Sequence, residues 1–120
     1  MTSTDIELRI RNDCIRNIYD LCLNEANVNN LQYALDSLIG FRYIPNSFLI
    51  PNGRYVRYID TKNHLDMKLR LGGFVTSDNS FSVSYISCAS SHVVKVNKKH
   101  CIFFIKVTQD ELLRCSLINL

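Results

Sequence analysis

What the chain lacks removes several function classes at once. In its 120 residues there is no Cys-x-x-Cys pair, no glycine-rich phosphate loop, and no apolar stretch longer than Cys101–Ile105. Such a run is far short of the roughly 20 residues of a membrane-spanning helix, so no span is expected. The first residues carry no apolar signal segment, and the cysteines are an odd set, Cys14, Cys22, Cys88, Cys101 and Cys115. Together these point to an intracellular, reduced protein. Gly72-Gly73 is followed by strand-forming residues rather than a helix start, which denies it an anion-cradling role. No local signature joins a Ser or Cys to a His and a third orienting group, and Asp60, Asp66 and Asp78 stand at turn positions where aspartate is common. No enzyme activity and no cofactor are therefore expected. Cys88, His92, His100 and Cys101 lie close in sequence but are not paired on tight knuckles, and Cys101 reads as a small buried hydrophobe, so no metal is expected.

What is present is the material of one globular domain over residues 1–120. The chain is 47% hydrophobic and 21% charged. A chain of this length buries roughly two-thirds of its unfolded surface, enough for a core without staples. Its net charge of +3 is unevenly spread. Residues 1–40 hold three basic and six acidic groups, whereas residues 41–107 hold ten and three, a sum of +7.

Residues 1–40 read as a helical hairpin. Thr4 and Glu7 stand at capping-box spacing, and Ile6, Ile10, Cys14, Ile18 and Leu21 or Cys22 form one apolar stripe to about Asn24. Asn27, Asn29 and Asn30 interrupt it; a second helix then buries Leu31, Ala34, Leu35 and Leu38 and ends at Gly40. After Pro45 the period becomes alternating, and residues 48–107 read as strands: one at Arg54–Asp60, one through Met67–Thr76 bent at Gly72-Gly73, and one returning through Phe81–Tyr85. Val93–Val96 and Cys101–Val107 are expected to pair as a last hairpin. Residues 108–120 open with Thr108 and Glu111 at capping-box spacing and form a short helix through Leu112, Leu113 and Leu117. The expected fold is α+β: a helical hairpin packed on a five-stranded, mostly antiparallel, SH3-like small β-barrel, with an open sheet as the alternative.

The working surface suggested by composition is basic and aromatic. Alternation in the Arg54 strand puts Val56 and Tyr58 inward, the phenol reaching a polar partner, and Tyr55 and Arg57 outward beside Lys68 and Arg70. Lys95, Lys98 and Lys99 extend this surface along the last hairpin. Cations among flat rings suit phosphates and bases, which makes nucleic acid one candidate partner, and a protein surface the other.

Several segments also carry a resemblance. Gly53-Arg54-Tyr55-Val56-Arg57-Tyr58, then Leu69-Arg70-Leu71-Gly72-Gly73-Phe74, then Val93-Val94-Lys95-Val96 and Ile102-Phe103-Phe104 resemble a small β-module of nucleocytoplasmic large DNA viruses, the giant viruses. The match covers about residues 48–107 and leaves out the helical hairpin. Members of that group carry a tryptophan before the penultimate strand, where this chain has His92 and no tryptophan anywhere. The resemblance implies a non-enzymatic viral structural or interaction module in the virion or the host cytoplasm, with another viral protein as partner.

Overall fold

The apolar stripe of the first helix finds its cover on a sheet. The computed structural model describes residues 3–24, 28 and 30–118. The Thr4 hydroxyl, Asn27, Asn29 and the side chains of Cys115 and Leu117 lie outside what is described. On α1 (Ser3–Asn24), Ile6, Ile18 and Cys22 are buried and Ile10 and Cys14 half-buried. On α2 (Leu31–Ser37), Ala34 is buried, as is Leu38 just beyond its end, while Leu31 and Leu35 are half-buried. Asn30 caps α2, its side chain accepting from the Tyr33 amide. Gly40, at φ +87°, turns the chain out of the hairpin in the left-handed conformation expected of a glycine there. No helix among the described residues is long and apolar enough to cross a membrane.

The strands are β1 (Phe41–Ile44), β2 (Tyr55–Asp60), β3 (Lys68–Asp78), β4 (Ser82–Ser87), β5 (Val93–Asn97) and β6 (Cys101–Lys106), followed by α3 (Gln109–Ile118). They form one antiparallel sheet in the order β1-β6-β2-β3-β4-β5. The α+β class and the packed helical hairpin are as expected, and three details differ. Among the described residues there are six strands rather than five, because Phe41–Ile44, which lies before the expected strand region, pairs with β6. No ladder joins β5 to β1 or β6 among the described residues, so the sheet is open. The expected hairpin of Val93–Val96 with Cys101–Val107 does not form: β5 pairs with β4, and β6 with β1 and β2.

The reason for the last difference is local. Lys98–His100 is a 3₁₀ turn, capped by the Asn97 side chain bonding the Lys99 amide. Although β2, β3 and β4 lie between β5 and β6 in the sheet, these three residues suffice to connect them. The sheet must therefore curl until the end of β5 stands by the start of β6, and the Thr61 amide bonds the His100 carbonyl there. Bending is concentrated in β3. Val56 pairs with Gly73 and Tyr58 with Arg70, so Leu71 and Gly72 together oppose Arg57 as a bulge. At Gly72, φ is +58°, and a side chain would overlap the Val56 carbonyl; one at Gly73 would overlap that of Ile86. The double glycine thus lets two neighbouring backbones approach from either side.

Curling gives each face of the sheet its own core. On the concave face, Val56, Tyr58, Val75, Val83, Tyr85, Phe103 and Ile105 pack together with Ile50 from the β1–β2 loop. The Tyr58 and Tyr85 hydroxyls meet at 2.7 Å, the polar partner expected for an inward phenol. Burial and this bond raise the Tyr58 phenol well above its ordinary range. On the other face, Ile18, Cys22 and Leu38 from the hairpin cover Phe41, Ile59, Met67 and Phe104. α3 closes one end. Its Thr108 hydroxyl accepts from the Glu111 amide at 3.1 Å, the capping half of the expected box. The Glu111 carboxylate holds both Arg42, at 3.2 Å, and Arg54.

Candidate functional site

Register decides where the basic and aromatic residues go, and it separates them. Residues opposite one another in a ladder share a face. Lys68 stands opposite Asp60 and Arg70 opposite Tyr58, so both belong to the concave side; Arg57 points the other way, under the helices. The expected patch of Tyr55, Arg57, Lys68 and Arg70 on one face is corrected accordingly.

Arg57 is a packing residue. Its guanidinium donates to the Ser37 carbonyl at the end of α2 and lies 4.9 Å from the Phe41 ring centre and 5.7 Å from that of Tyr55. Its Nε is buried without a hydrogen-bond partner among the described residues. Both ring contacts are of cation–π distance. Tyr55 is half-buried beside it, with its hydroxyl 3.3 Å from the Leu71 carbonyl oxygen and from Cys88 Sγ. Burial and the Cys88 contact raise its phenol despite the nearby Arg57.

Lys98 is likewise no surface residue. It is 3% exposed, and its Nζ donates to Asp78 Oδ2 at 2.8 Å and the Phe48 carbonyl at 3.1 Å. Asp78 Oδ2 also accepts from the Ile50 amide and Oδ1 from that of Ser80. Burial pushes the Asp78 carboxyl up, but Lys98 and the two amides together hold it below its ordinary value. This pair pins the β1–β2 loop to the β3–β4 turn and the end of β5.

Lys62, Lys68 and Arg70 border the concave side. Asp60, Lys62, Asn63, Asp66, Lys68 and Arg70 line a polar cleft of about 150 Å³. Lys68 lies 3.5 Å from Asp66, and Arg70 4.0 Å from Asp60. An adjoining cleft of about 90 Å³ shares Asp60 and Lys62, adds His100, and is bounded by the Lys95–Asn97 end of edge strand β5, where the register with Ser84 gives Lys95 the parity of Val93. Lys99 is exposed in the 3₁₀ turn.

A second surface escaped the sequence reading. Tyr55 stands opposite Phe74, Phe74 opposite Ile86, and Ile86 opposite Val93, one continuous row across β2, β3, β4 and β5. The Tyr55 end meets Phe74 edge-on at 5.0 Å and packs against the cluster of Phe41, Ile18, Cys22 and Leu38. Beyond it the row is open: Phe74 is 52% exposed, Ile86 41% and Val93 67%. The signal was in the parity. Ile86 and Val93 occupy the strand positions opposite in parity to buried Tyr85 and half-buried Val94, so these strands are apolar on both faces where a wet face would alternate.

No family model, no curated protein and no solved structure matches the chain. Chemistry must be judged from the side chains. Cys101 is buried, and its thiol is pushed up to about 12 by burial and then by the Asp60 charge; burial also raises that of Cys22. Thiols held protonated at neutral pH are poor nucleophiles. Among the described residues no three His, Cys, Asp or Glu side chains converge as a metal site. The arrangement is suited to surface recognition, through an apolar row on one side and a cationic rim on the other.

Proposed function

We propose that this chain is a non-enzymatic protein-interaction module that docks on a partner through the Phe74–Ile86–Val93 row. The observation that carries this reading is the division of one sheet face, with the helical hairpin covering β1, β6 and β2 while the same face of β3, β4 and β5 presents aligned apolar side chains to solvent. Contiguous exposed apolar surface next to a built core marks an interaction site more often than a scattered apolar residue does. The curl of the sheet supports the scaffold role and an SH3-like reading of it: β3 is bent, and a three-residue 3₁₀ link joins β5 to β6. The motifs within residues 48–107 that resemble a giant-virus module support another viral protein as the partner, in the virion or the host cytoplasm.

Phe74→Ser combined with Val93→Ser should reduce partner capture from extracts of the source cells at least about tenfold, the equivalent of some 1.4 kcal/mol of binding. The variant should stay folded, with the melting temperature lowered only by loss of the Tyr55–Phe74 edge contact, worth about 0.5–1.5 kcal/mol, since Val93 is 67% exposed. Undiminished capture by the folded double variant would remove the row from the account.

A second reading follows from the rim of Lys62, Lys68 and Arg70, which suits a polyanion. It makes the chain a nucleic-acid-binding accessory protein. Random DNA and RNA should then bind at low salt, release as salt rises, and fail to bind Lys68→Glu/Arg70→Glu. Binding absent at low salt would discard it.

A further inference from the structure

We propose that the outer edge of β5 accepts an extended segment of a partner protein as an added strand, and that this segment carries an apolar and an acidic residue two positions apart. The inference rests on the interaction-module reading and names the partner's chemistry. β5 ends the sheet, no strand pairs on its outer side among the described residues, and a cleft of about 90 Å³ separates its Lys95–Asn97 end from Asp60, Lys62 and Cys101. Its ladder to β4 is unbroken from Ser82↔Asn97 to Ile86↔Val93, with no bulge to turn the edge away and no proline. In an antiparallel ladder, hydrogen-bonded and non-bonded pairs alternate. The Ser87 amide bonds the His92 carbonyl and the Lys98 amide bonds that of Phe81. By that alternation Val94 and Val96 also bond inward, and Val93 and Lys95 direct their backbone N–H and C=O outward.

An added strand would extend the apolar row. Its residue opposite Val93 joins the face of Val93, Ile86 and Phe74, where an apolar side chain has cover waiting. The residue opposite Lys95 shares that face, because Val93 and Lys95 have the same parity. There a carboxylate meets the ammonium, with Lys99 in the following turn adding charge of the same sign. A second copy of this chain is disfavoured by the same residues, since it would bring another Lys95 and another surface of like sign, the +7 of residues 41–107. Main-chain bonds would supply affinity and the alternating side chains specificity, the usual division in strand addition.

The test is selection of a displayed random-decapeptide library on the full chain, followed by hydrogen exchange of the bound complex. Enriched peptides should place Asp or Glu two positions from an apolar residue and protect the Val93 and Lys95 amides. Val93→Pro removes an outward N–H without touching the β4 ladder, and should weaken binding at least about tenfold with the melting temperature nearly kept. Lys95→Glu should turn the selection towards basic peptides. Peptides that bind but protect another surface, or that tolerate Val93→Pro, would overturn the edge proposal and leave the interaction reading standing. Failure to enrich any peptide, or dimerisation through β5, would also overturn it; the interaction reading is then decided separately by capture with the Phe74→Ser/Val93→Ser variant.

Discussion

Replacing Lys98 with Ala should destabilise the fold by about 3–5 kcal/mol, the range for removing one member of a buried ion pair. The loss exceeds that of an ordinary lysine because Asp78, its side chain 1% exposed, keeps its carboxylate without its cation, and the Phe48 carbonyl loses a donor. Asp78→Ala should be comparably damaging, since it frees the Ile50 and Ser80 amides as well as Lys98. Lys98→Met with Asp78→Leu should recover only part of the loss, because the desolvation cost of both charges disappears with them while the Ile50 and Ser80 amides and the Phe48 carbonyl stay without their partners. The pair also sets a pH dependence. Asp78 is lowered in the folded state, so its stabilisation is fully present above the unfolded value of about 3.9 and disappears as pH falls through the lower folded value. Denaturant titrations between pH 7 and pH 2 should show this acid-side loss in the natural chain and a shallower one in Asp78→Asn. Equal slopes, or a Lys98→Ala variant of full stability, would mean that the pair does not pin the loop.

Arg57→Glu should cost about 3–5 kcal/mol, whereas Arg70→Glu should stay within about 0.5–1 kcal/mol of the natural chain. Arg57 donates a charged hydrogen bond to Ser37, which is worth roughly 1.5–3 kcal/mol, and stands over two rings, a contact worth up to about 2 kcal/mol when desolvated. A carboxylate placed there would face a carbonyl oxygen and the negative faces of the same rings. Arg70 makes only a 4.0 Å exposed pair with Asp60. Thermal or urea unfolding of the two single variants separates them. Equal tolerance of both substitutions would contradict the placement of Arg57 beneath the helical hairpin.

The same contrast explains what was legible in the sequence. The apolar stripes of α1 and α2 and the inward pair Val56 and Tyr58 follow from periodicity alone, and both are where the pattern put them, whereas on α3 Leu112 is buried and Leu113 exposed. The glycine bulge was also readable, because two glycines inside a strand have few other uses. Pairing partners were not. Phe41–Ile44 is too short to reveal itself as a strand, and its place depends on β6, some sixty residues away in sequence. Lysines around a predicted turn look like solvated charge, and only the tertiary fold brings Asp78 and the Phe48 carbonyl to Lys98. Arg57 was assigned to the surface because a strand pattern gives two faces without saying that both are covered. The exposed row was missed for the complementary reason: Phe74, Ile86 and Val93 look like core until the helices are seen to stop short of them.

The central claim is that the working surface is the uncovered part of the helix-bearing face. Site-specific photo-crosslinking in extracts of the source cells tests it most directly, with the photoreactive group placed at position 86 in one preparation and at position 70 in another. The account predicts that the group at position 86 traps a discrete protein partner, that trapping is lost in the Phe74→Ser/Val93→Ser background, and that position 70 traps none. A discrete adduct at position 70, to protein or to nucleic acid, with none at position 86, would contradict it and move the function to the cationic rim.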